Sequence, residues 1–189
     1  LLTHTVAHER IEDLALPFAA TATDLVTGRA VHLQSGPLVP ALMASAAVPG
    51  LYPPVRIDGR DLVDGGVVSM VPVDHALRMG ARSVVVLDCG VFGFRPEPPR
   101  RIPELVAQVV AIMMRQQLVR DLPAVAREVP VLYLPGPFPI TSSPLEFHAS
   151  PRLMKDAYDK TRAFLAEVRP DGPGVYGDPP LIGGDEPAR

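Results

Sequence analysis

Apolar positions along the chain switch repeatedly between the two-residue period of a strand and the wider spacing of a helix. Residues 16–23 (LPFAATAT) and 30–34 (AVHLQ) read as strands joined by the turn-forming DLVTG of residues 24–28, and they are expected to pair antiparallel. Residues 37–48 predict a helix with Pro37 in its first turn and Pro49-Gly50 as its stop. Its last turns are nearly all small residues, which let a helix approach another backbone closely. Residues 55–57 and 61–63 flank Asp58-Gly59 at the two-residue spacing of a hairpin. Residues 72–79 predict a short helix closed by Gly80. The continuous apolar run of residues 83–88 (SVVVLD) predicts a strand buried on both faces, hence a parallel sheet covered by helices. Residues 103–120 make the longest helix, residues 129–134 another strand, and Ser150 is the expected cap of a helix opening at Pro151 and running to about Val168. The alternation defines an α/β fold with a partly parallel sheet covered by helices. From Pro170 onward, proline, glycine and acidic residues offer little apolar surface to offset ordering, so residues 170–189 are expected to be a disordered tail behind a folded region 1–169.

Composition narrows the partners. The chain has 189 residues, 47% of them hydrophobic, enough for a real core. Its net charge of −3 sits in the tail, where Asp171, Asp178, Asp185 and Glu186 oppose Arg189. No basic stripe is present, so nucleic acid is not an expected partner. Lys155 and Lys160 are the only lysines beside abundant arginine, a usage that fits a high-GC bacterial genome. The single cysteine, Cys89, excludes an internal disulfide and is expected to be a small buried hydrophobe. No stretch reaches the apolar length of a membrane span. The chain opens without methionine and in mid-pattern, so it is expected to be cut from something longer.

Residues 62–66 (LVDGG) run an apolar strand into an aspartate and two glycines. A hairpin turn is the plain reading. At a strand end facing a crevice, Asp64 could equally be a general base, a metal ligand or a capping residue. His4 and His8, four apart beside Glu9, Glu12 and Asp13, lack a third placed metal ligand and read as a solvated face. His75 could join a triad on paper but reads as a surface histidine, residues 109–114 (VVAIMM) read as core, and Asp58 and Asp61 as turn residues.

Taken together, TATDLVTG, ASAAVPG, YPPV, the DGG at 64–66 and VPVDHALRMGA resemble the patatin-like phospholipase family, over residues 19–88 and more loosely to about 168. The resemblance implies the second half of that family's catalytic domain and a Ser-Asp dyad acting on lipid esters without metal or cofactor. Asp64 would be the base, with Gly65 and Gly66 completing the family's Asp-Gly-Gly or Asp-Gly-Ala motif. The family's nucleophile lies in a Gly-x-Ser-x-Gly elbow. None of Ser35, Ser45, Ser69, Ser83, Ser142, Ser143 and Ser150 has glycines two residues before and after it. The expected partners are therefore a lipid or acyl-ester substrate and an upstream half, cleaved, omitted or carried on a second chain, without which these residues are inactive. A transient membrane-surface contact and a cytoplasmic or membrane-peripheral location are expected. The alternatives are a non-catalytic α/β domain that binds a ligand or partner, and a regulatory fragment released from a parent enzyme.

Overall fold

Asp58 (φ 49°) and Gly59 (φ 78°) turn the chain back on itself in the computed structural model, which describes residues 6–89, 100–136 and 147–179. Two successive left-handed residues make the turn whose twist suits a two-residue hairpin. It joins β3 (Val55–Ile57) to β4 (Arg60–Asp64), with Ile57 opposite Arg60. β4 also pairs antiparallel with β1 (Ala20–Asp24), and β1 with β2 (Ala30–Leu33), giving the sheet order β2-β1-β4-β3. β1 starts later than residue 16, and Leu16 is 77% exposed.

Every residue of β1 is buried. One face packs under α1 (Leu38–Ser45): Ile11, Ala20, Leu38 and Ala41 form one cluster, and Ala22, Ala44 and Leu62 a second. Ala22 and Ala44 expose nothing, so the small side chains bring helix and sheet together as their spacing predicted. α1 ends at Ser45, ahead of Pro49, and Ala47 N–H closes a turn onto Ala44 O at 3.3 Å.

The chain divides into two compact units, Leu1–Pro72 and Val73–Arg189. In the second, α2 (Val73–Arg78) ends at Gly80 with φ +90°, and β5 (Val84–Leu87), β6 (Pro130–Leu134) and β7 (Gly174–Tyr176) form a parallel sheet in the order β5-β6-β7. Thus the chain is α/β with one antiparallel and one parallel sheet. β5 lies at the sheet's edge: Val84 and Val86 are buried while Val85 and Leu87 are exposed, so the apolar run is covered on one face only. β7 falls within the expected tail, because Gly174, Val175 and Tyr176 find backbone partners in Pro130, Val131 and Leu132; residues 180–189 lie outside the described residues.

α3 (Ile102–Ala126) runs past Arg120 and through Pro123, held by the buried Leu118, Leu122 and Val125. The expectation that residues 109–114 are core holds for Met114 but not for Val109, Ile112 and Met113, which are exposed. α4 (Ser150–Glu167) begins one residue earlier than expected: Ala149 is the N-cap, Ser150 is helical, and no side chain caps the end. Cys89 is exposed, having passed the end of β5. Among the described residues no helix is long and apolar enough to cross a membrane.

Candidate active site

Asp64 is the last residue of β4, and the chain leaves it into a 3-10 turn, Gly65–Val67, instead of reversing into a hairpin. The hairpin lies at Asp58-Gly59, so the turn reading of LVDGG gives way to a strand end that projects a carboxylate. Three contacts fix it. Asp64 N–H donates to Ala47 O at 3.0 Å, tying the residue to the middle of the ASAAVPG segment. Asp64 O accepts from Thr23 Oγ1 at 2.9 Å. Asp64 Oδ1 accepts from Gly66 N–H at 2.7 Å, so this aspartate also caps its turn. Among the described residues, Oδ2 accepts no hydrogen bond and keeps its lone pairs for a proton.

Burial pushes the Asp64 carboxyl above the ordinary carboxylate value, against the pull of the Gly66 N–H. A carboxylate raised in this way is a better base than an exposed one. Gly65 explains why a glycine follows: a Cβ there would stand 2.3 Å from Thr21 O, inside the adjoining strand. Thr21 in turn lies 3.1 Å from His32 Nδ1 through its hydroxyl. Thr21, Thr23 and Ala47 were not singled out from the sequence, although the small, alternating ATAT of β1 is their signal.

The other candidates fall elsewhere. Asp24 serves a local turn, accepting from Val26 N–H (2.9 Å) and Thr27 N–H (3.0 Å), and the Thr27 N–H foremost holds its carboxyl below the ordinary value. His75 is half-buried in α2, beside Arg78, and burial foremost lowers its pKa. Asp61 accepts from Arg56 at 3.3 Å across the hairpin, in keeping with a turn role. His4 lies outside the described residues, as do Ser142 and Ser143. Glu12 accepts from Gly36 N–H at 2.8 Å and from Arg10; its own backbone N–H foremost, then that of Gly36, pushes its pKa down to about 2. It is thus committed to a loop contact. Among the described residues no three His, Cys, Asp or Glu side chains converge on a metal position.

A half-buried, strand-terminal aspartate followed by a close-packed Gly-Gly turn makes a candidate single-carboxylate site on an α/β scaffold. Residues 1–77, which contain it, match the family pattern of patatin-like phospholipase. An uncharacterised NTE-family protein of Mycobacterium tuberculosis is 37% identical over 106 residues, 56% of this chain and 29% of its own length. The lysophospholipase NTE1 of Mycosarcoma maydis is 38% identical over 85 residues, 45% of this chain and 4% of that protein. Patatin-like phospholipase domain-containing protein 7 of Rattus norvegicus is 39% identical over 84 residues, 43% of this chain and 6% of that protein. Over its first 77 residues the chain is thus similar to the patatin-like phospholipase family. The matched segments span less than a third of the length of these relatives.

Proposed function

We propose that the protein containing these 189 residues hydrolyses carboxylic esters of lipids, with Asp64 as the general base of a Ser-Asp dyad. The observation that carries the reading is Asp64 itself: half-buried, its pKa raised, one oxygen held by Gly66 N–H, inside the segment matched to the family. The lysophospholipase relative supports a lipid ester as substrate class.

Asp64 takes the serine hydroxyl proton as the serine oxygen attacks the ester carbonyl. The proton then passes to the departing alkoxide, leaving an acyl-serine. Asp64 next takes a proton from water, whose oxygen attacks the acyl carbon, and the proton returns to the serine as the fatty acid leaves. Gly65 and Gly66 support the step by close packing and by orienting Oδ1. The serine belongs to a Gly-x-Ser-x-Gly segment that these residues do not contain, so they supply the base and require the nucleophile from an upstream half or a second chain. By themselves they are expected to be inactive. The full-length protein is expected to give a serine adduct with a phosphonate probe and to release nitrophenol from short-chain nitrophenyl esters. Absence of both overturns the proposal.

A further inference from the structure

Of the three hydrogen bonds that hold Asp64, two are made by backbone groups: Ala47 O accepts from its N–H, and Gly66 N–H donates to its Oδ1. The third is made by a side chain, the Thr23 hydroxyl, which donates to Asp64 O at 2.9 Å. It is therefore the one contact of the three that a residue type decides. Thr23 lies in β1 opposite Val63 of β4, and β1 is paired on both sides. It is 2% exposed, so its side chain is enclosed by the fold. A valine would match its shape at such a position and need no partner, whereas a buried hydroxyl has to find one. The partner it finds is the carbonyl of the aspartate that ends the neighbouring strand.

The place of that carbonyl gives the bond its consequence. β4 pairs with β3 only as far as Leu62 and with β1 as far as Asp64, so the Asp64–Gly65 peptide is the first one beyond the ladder. The Thr23 hydroxyl fixes the plane of this peptide at its oxygen. Gly65 and Gly66 follow in the 3-10 turn, and Gly66 N–H returns to Oδ1 at 2.7 Å. The path runs from hydroxyl to peptide plane, to turn, to Gly66 N–H, and back to the carboxylate of the same aspartate. With Oδ1 held, the direction of Oδ2 is set as well. A β-branched side chain with few rotamers, on a strand locked between two others, is a stiff anchor for that path.

We propose that Thr23 is a positioning residue for the base, its hydroxyl setting the direction of the Asp64 carboxylate through the Asp64–Gly65 peptide and the Gly66 N–H. The inference rests on the dyad reading of Asp64 for its effect on turnover, and on the geometry alone for its effect on the carboxylate. The test compares Thr23→Val, which removes the hydroxyl and keeps the shape, with Thr23→Ser, which keeps the hydroxyl and loses a methyl, both in the full-length protein. Thr23→Val should lower kcat on a short-chain nitrophenyl ester about 10–100-fold with KM unchanged, the cost of a base displaced by about an ångström. The acid limb of its pH profile should move to higher pH, and so should the titration of the Asp64 carboxyl followed by 13C NMR, because a loosened Gly66 N–H no longer holds the anion. Thr23→Ser should keep kcat, limb and titration near the parent's, although it packs less well. A merely structural role would order the variants by their urea midpoints and leave the limb and the carboxyl titration in place in both, and that result overturns the proposal. Thr23→Ala against Thr23→Ser repeats the comparison across a single oxygen, should the valine variant fail to fold. A parent that cleaves no ester removes the hydrolase reading, and the carboxyl titration of parent and variants then still decides whether Thr23 sets the carboxylate.

Discussion

Gly65→Ala probes the contact that holds Asp64 in place. The added methyl carbon would lie 2.3 Å from Thr21 O, 2.6 Å from Thr21 C and 2.9 Å from Thr21 Cγ2, where ordinary contact begins at 3.4 Å. Two of the three obstacles are backbone atoms of β1, a strand paired on both sides, so no rotamer change relieves the clash. The 3-10 turn or the strand must move by about an ångström. Overpacking costs about 1–3 kcal/mol, and a backbone obstacle places this case near 3. With a urea dependence of about 1–3 kcal/mol/M, the unfolding midpoint should fall by about 1–3 M. Gly172→Ala is the control, because its Cβ would meet nothing within 4 Å. Urea unfolding of the full-length protein and both variants, followed by circular dichroism, reads the difference. If Gly65→Ala unfolds at the control's midpoint, β1 and the turn are not in contact and the account of the Gly-Gly motif is wrong.

Ala44→Leu should destabilise by about 1–3 kcal/mol, because it inserts bulk where Ala44 and Ala22 expose nothing; the same urea series measures it. Asp58→Val should cost about 1–2 kcal/mol, since a β-branched residue is held at φ 49°, while Asp58→Asn should be nearly silent.

What could be read from the sequence was local. Asp58-Gly59 specifies its own turn, Pro37 and Pro49-Gly50 bracket α1, and Gly80 ends α2, because each acts through backbone geometry within a few residues. The long-range parts were not legible. β7 exists through its pairing with β6, which outweighs the poor strand composition around Gly172 and Pro173. α3 crosses Pro123 because Leu122 before it and Val125 and Ala126 beyond it are buried. The same helix is apolar on nearly all sides in its first half, so periodicity could not tell the covered face from the open one. Asp64 was legible as a candidate through its motif. Its bonds to Ala47 and Thr23 and the upward push on its pKa arise from segments brought together only by the fold.

The most direct test of the central claim is Asp64→Asn in the full-length protein, with activity and stability measured on the same sample. Asparagine keeps an oxygen for the Gly66 N–H but accepts no proton from a serine. General base catalysis contributes about 10²–10⁴-fold, and loss of the only base should reach the upper end of that range on a short-chain nitrophenyl ester. Stability should move the other way. The folded state holds the Asp64 proton more tightly than the unfolded chain, so ionising it removes stability as pH rises from the unfolded carboxylate value to the raised folded one. Above that window Asp64→Asn should therefore melt at or above the parent's temperature, and below it the two should converge. A collapse of activity without loss of stability is the result the account predicts. A variant that keeps more than about a tenth of the parent's activity, outside the range a lost general base produces, would contradict it.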